Sequence, residues 1–84
     1  MYHVVLQTPA KLFLKKLDKH LSRRITLRLR ELREDPELGK PLVGRLAGLW
    51  SLRVGQFRVL YEIRHGELVV VVIDVAHRKK AYRK

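Results

Sequence analysis

The sequence predicts an α+β domain of order β-α-α-β-β-β. An antiparallel helix hairpin should pack on one face of a four-stranded, mostly antiparallel sheet. Three observations carry this reading. Apolar residues recur at helical spacing from Ala10 to Leu32, the period switches to two from Trp50 onward, and Leu68–Val75 is almost wholly apolar and β-branched. With 84 residues and no linker, repeat or low-complexity stretch, residues 1–84 read as a single domain.

The elements follow in order. Tyr2–Gln7 reads as a short first strand bounded by Thr8-Pro9. Thr8 is the expected cap of a helix with Pro9 at its first position, where a missing N–H costs nothing. Ala10, Phe13, Leu14 and Leu17 form its apolar stripe. A break around Lys19-His20-Leu21 is expected next, with Ser22 as a second capping candidate. Ile25, Leu29 and Leu32 continue a second stripe until Asp35-Pro36 ends it. Arg23, Arg24, Arg28, Arg30 and Arg33 fall to the solvated side of this helix. The stretch from Pro36 to Gly48, with Gly39, Pro41 and Gly44 within it, is expected to be irregular.

Trp50, Leu52 and Val54 alternate with Ser51 and Arg53, and Phe57, Val59 and Tyr61 alternate with Arg58, Leu60 and Glu62. Gly55-Gln56 suits a two-residue type II′ turn, which sets Arg53 opposite Arg58. Like charges directly across an antiparallel pair cost on the order of 0.2–1 kcal/mol, so the pairing serves something other than the fold. A bound polyanion relieves that repulsion. A two-residue type I′ loop at His65-Gly66 would set Arg58 opposite Ile73. Alternation would then put Val75 and His77 on the face of Arg53 and Arg58, with Arg78, Lys80 and Tyr82 along the rim. The last strand is expected to be central and buried on both faces.

Composition narrows the function classes. Nineteen Lys and Arg against eight Asp and Glu give a net charge of +11 and a pI near 10.8. Such an excess favours polyanionic partners, either nucleic acid or an acidic protein. The absence of cysteine excludes disulfide staples and thiolate chemistry. His3, His20, His65 and His77 are scattered without ligand spacing, so neither a metal nor another cofactor is expected. Ser-His-Asp, P-loop and dinucleotide-binding patterns are missing. The longest apolar run is far too short to span a bilayer and the N-terminus lacks a signal-peptide pattern, so no membrane association and a cytoplasmic location are expected. Imidazole, guanidinium, ammonium and phenol groups around a concave sheet suit metal-free RNA cleavage, with one group deprotonating a ribose 2′-OH and cations steadying the phosphorane.

The segment Leu49-Trp50-Ser51-Leu52-Arg53-Val54-Gly55-Gln56-Phe57-Arg58-Val59-Leu60-Tyr61, with Ala76-His77-Arg78-Lys79-Lys80-Ala81-Tyr82 after it, closely resembles the RelE/ParE toxin superfamily. Lys40-Pro41-Leu42-Val43-Gly44-Arg45-Leu46 is similar to that family's lead-in, and the likeness covers essentially the whole chain. The resemblance implies a first strand lying parallel beside the last. It also implies the toxin of a type II toxin–antitoxin pair, in the RelE-like case an endoribonuclease that cuts mRNA in the ribosomal A site. By position, Arg58 and Arg78 match arginines that bind and stabilise the scissile phosphate, and Arg53 matches a basic residue of the second strand. Tyr82 falls near a C-terminal catalytic tyrosine and His77 near a histidine acid or base. Lys79, Lys80 and Arg83 would add phosphate contacts. The implied partners are mRNA on the ribosome and a cognate antitoxin whose acidic or amphipathic segment covers the groove. Ser51 stands where many active members carry Lys, Arg or Glu, which leaves the general base open. It also keeps two alternatives: a ParE-like poison of DNA gyrase without nuclease activity, and a degenerate toxin acting as a binding module.

Overall fold

The computed structural model describes residues 1–79. Two helices pack on a mixed sheet of order β1-β5-β4-β3-β2. Its strands are β1 (His3–Leu6), β2 (Lys40–Pro41), β3 (Trp50–Val54), β4 (Phe57–Arg64) and β5 (Val69–His77); the helices are α1 (Thr8–Lys16) and α2 (Lys19–Glu31). The sheet has five strands rather than four. Lys40 and Pro41, inside the stretch expected to be irregular, pair antiparallel with Ser51 and Trp50. A strand this short, with a proline that lacks a donor, forms a blunt edge.

Both helix starts differ from expectation. Gln7 donates its N–H to the Val72 carbonyl (2.9 Å) and accepts from the Lys11 N–H (3.0 Å), so the last rung of the β1–β5 ladder is also the N-cap of α1. Thr8 is therefore the first helical residue and not the cap. In α2 the cap is Asp18, whose carboxylate accepts from the His20 N–H at 2.7 Å, and Ser22 lies inside the helix. Only Leu17 and Asp18 separate the two helices.

The apolar stripes meet the sheet as their spacing requires. Ala10, Leu14, Ile25 and Leu29 are buried against Leu52, Val59, Tyr61, Val70 and Val72. β1 pairs parallel with β5, from His3 opposite Val69 to Leu6 opposite Val72. Val71, on the opposite face from Val70 and Val72, is also buried, so this part of β5 is covered on both sides. Tyr61 is fully buried; its hydroxyl accepts from the Gly39 N–H (3.0 Å) and donates to the Pro36 carbonyl (2.8 Å). These bonds tie the α2–β2 connection to the sheet. A Cβ at Gly39 would overlap the Ser51 carbonyl, so only glycine permits this approach.

The β4–β5 pairing departs twice from the two-residue loop and uninterrupted ladder. The connection is longer: a 3₁₀ turn at His65–Glu67 and a left-handed Leu68 close Arg64 against Val69. That moves the register by two and preserves the faces. The ladder then slips between Leu60 and Tyr61, with Leu60 opposite Asp74 but Tyr61 opposite Val72, leaving Ile73 without a partner on β4. This one-residue bulge exchanges the faces of everything beyond it. Arg58 consequently faces Ala76, not Ile73, and Val75 is buried in the core opposite Val59.

Leu68 is the one non-glycine residue with positive φ (56°) among the described residues, and its side chain is 47% exposed. Left-handed backbone costs a β-carbon residue about 1–2 kcal/mol, whereas added glycine freedom in the unfolded chain costs about 0.4–1 kcal/mol. Leu68→Gly should therefore stabilise the fold by up to about 1.5 kcal/mol. A higher urea midpoint at unchanged slope is the expected readout, and a lower midpoint would contradict it.

Candidate functional site

The β3–β4 turn builds the site. Gly55 has φ of 59° and Gln56 does not take a positive φ, which fits a type II′ turn. Val54 faces Phe57 and Arg53 faces Arg58, as the alternation predicts. Beyond the end of β5, the Arg78 N–H donates to the Gln56 carbonyl at 2.8 Å, so the ladder continues around this end of the sheet. With Arg58 opposite Ala76, Arg78 becomes its diagonal neighbour, and the small Ala76 leaves room for both guanidinium groups.

Gln56, Arg58, His77, Arg78 and Lys79 line one cleft of about 540 Å³. Its lining contains three cations and no carboxylate. Arg58 is partly buried, and its Nε is shut from solvent without a hydrogen-bond partner. A buried donor left unpaired costs about 1–3 kcal/mol, so the fold gains nothing from placing that nitrogen there. Among the described residues, ion pairs engage only Arg28 and Arg64, at the surface; Asp74, the other diagonal neighbour of Arg58, makes none and accepts from the Val75 N–H at 2.9 Å.

His77 reaches the cleft by a different route from the one its alternation suggested. It lies opposite Phe57, not on the face of Arg53 and Arg58. Its ring packs against Phe57 (centroids 4.8 Å apart) and meets Phe13 of α1 edge-on (6.0 Å). The bulge accounts for this change. It turns His77 towards the aromatic pair and Arg78 towards Arg58.

Arg53 is exposed and does not line this cleft; together with Arg58 it lines a neighbouring one. Lys79 joins Arg78 at the mouth of the first cleft. Tyr82, Lys80 and Arg83 lie outside the described residues. Ser51 is buried where β2 pairs alongside β3. Sequence reasoning missed Gln56, although its place in the turn opposite the chain beyond β5 is the signal that would have found it. Among the described residues, no group of three or more His, Asp or Glu side chains gathers as a metal site, and no helix is long and apolar enough to cross a membrane.

The fold is that of the RelE-like toxins. A chain of the toxin–antitoxin complex RelBE2 from Mycobacterium tuberculosis superposes with a TM-score of 0.85 at 35% identity, covering 92% of this chain and 98% of that one. The isolated E. coli RelE toxin gives a TM-score of 0.77 at 22% identity over 100% of this chain and 88% of that one, a likeness of fold alone. The chain belongs to the ParE toxin family of type II toxin–antitoxin systems, whose family model matches residues 4–82. It is also similar to Toxin RelG of M. tuberculosis, 44% identical over 52 residues, which are 62% of this chain and 60% of that protein. Toxin RelE of the same organism is 48% identical over 46 residues, 55% of this chain and 47% of that protein. The matched stretches thus span less than two thirds of either relative.

Proposed function

We propose that this chain is a ribosome-dependent mRNA endoribonuclease, held inactive by a cognate antitoxin. The observation that carries this reading is Arg58, which lines a carboxylate-free cleft together with Arg78 and Lys79. Such a cleft suits a phosphodiester. Arg58 and Arg78 bind the scissile phosphate and stabilise the charge that builds on its oxygens. His77 supplies the imidazole for proton transfer, its ring plane held by Phe57 and Phe13. The 2′-oxygen loses its proton and bonds to the adjacent phosphorus while the bond to the 5′-oxygen breaks. That oxygen leaves with a proton, and the products are a 2′,3′-cyclic phosphate and a 5′-hydroxyl. Arg53, Lys79, Lys80 and Arg83 contribute phosphate contacts, and Tyr82 is a further candidate for proton transfer or stacking.

The antitoxin reading rests on the toxin–antitoxin complexes of similar fold and on the charge. An acidic or amphipathic segment over the cleft would both neutralise it and exclude RNA. A second reading, gyrase poisoning without RNA cleavage, is favoured by Ser51. It is buried on β3, where the superfamily often carries a charged residue.

Primer extension on cellular mRNA after induction of the chain separates the two. Discrete cuts that disappear when ribosomes are withheld from a purified reaction are the expected result. DNA damage without mRNA cuts would replace the nuclease by the gyrase reading.

A further inference from the structure

A second cleft, of about 410 Å³, adjoins the first through Arg58, which lines both. It lies at the β3 side of the sheet. β2 pairs only with Trp50 and Ser51, so the outer edge of Leu52–Val54 has no strand partner among the described residues. Arg28 from α2, Lys40 from β2, and Arg53 and Arg58 from the hairpin line the resulting gap, and no carboxylate does. Three separate parts of the chain thus deliver four cations to one concavity, where their mutual repulsion opposes folding. Arg28 has an ion-pair partner, Glu31, at 2.6 Å, but the pair is exposed on both sides. Such a pair contributes little and yields readily to a phosphate. Lys40 is held in place from behind, because the Tyr61 hydroxyl fixes the backbone at Pro36 and Gly39 just before it.

We propose that this second cleft is a phosphate subsite, in which Arg28, Lys40 and Arg53 hold the backbone of the same single-stranded RNA at a phosphate flanking the one held by Arg58. The subsite deepens the nuclease reading and rests on it. The strand runs from the Arg78–Lys79 side, past Arg58, to the α2–β2 side. Arg28 thus leaves the solvated helix face and becomes a backbone contact. Affinity should then depend on RNA length, since a dinucleotide fills only the first cleft.

The test is fluorescence anisotropy of the full chain with labelled oligouridylates of two and eight nucleotides across a salt series. In Arg28→Ala/Lys40→Ala, the dinucleotide should bind as in the unsubstituted chain while the octamer loses its advantage. The slope of log affinity against log salt for the octamer should fall by about 0.7 for each cation removed, about 1.4 for both. Arg28→Lys/Lys40→Arg keeps the charges and should keep the slope. An unchanged octamer slope in the alanine variant overturns the subsite, as does a slope lost equally in the charge-conserving variant. Arg58→Ala/Arg78→Ala separates the two readings: if it alone abolishes binding, only the subsite fails. If it binds both oligomers normally, the first cleft fails with it.

Discussion

Arg58→Ala combined with Arg78→Ala should abolish growth inhibition while leaving the fold intact. Two guanidinium groups, diagonal across β4 and the end of β5, face one carboxylate-free cleft. Removing one preorganised donor from a developing oxyanion costs about 10²–10³ in rate, so losing both should bring activity to background. Folding should not suffer. The Arg58 Nε is already buried without a partner, and deleting an unsatisfied donor removes a desolvation cost of about 1–3 kcal/mol. The two readouts are growth after induction and a thermal melt of the purified variant. Undiminished toxicity would show that the cleft is misassigned, and a collapsed melting curve would show that Arg58 is structural.

The largest effect on stability is expected from Tyr61→Phe. The ring stays in the core, but Gly39 loses the acceptor for its N–H and Pro36 the donor to its carbonyl. Leaving partly buried backbone groups unpaired costs about 1–3 kcal/mol. For a domain of this size, each kcal/mol lowers the melting temperature by roughly 4–8 °C. A melt within one degree of the parent would mean that the hydroxyl does not hold the connection.

The same residue gives the fold an alkaline limit. Burial raises the phenol above its ordinary value of 10.0; the Gly39 hydrogen bond lowers it, and the carboxylates of Asp35 and Glu37 raise it further. The folded chain therefore keeps a proton that the unfolded chain releases just above pH 10. This contribution is fully present below pH 10 and is lost as pH rises towards the folded value. Urea midpoints measured from pH 9 upward should fall more steeply for the parent than for Tyr61→Phe. Parallel curves would refute the assignment.

The helices, the β3–β4 hairpin and the basic character were legible because each is written locally. Apolar spacing selects the buried faces of α1 and α2, Gly55 permits the positive φ of the turn, and that turn alone brings Arg53 opposite Arg58. Two features near the site were not written that way. β2 is two residues long and contains a proline, so it has no periodicity to read; it exists because Gly39 lets the chain lie against Ser51 and Tyr61 holds it there. The bulge at Ile73 ends a run whose residues suit either face of a buried strand, so periodicity within Val69–Ile73 cannot locate a slip.

Sequence by itself determined that this chain folds as helices over a sheet and presents unpaired guanidinium groups at a hairpin. The family resemblance pairs Arg78 with Arg58, but which side chains share the face of Arg58 was decided only by tertiary structure. Strand parity has a period of two, so one unpaired residue was enough to send Val75 into the core, His77 onto Phe57 and Arg78 beside Arg58.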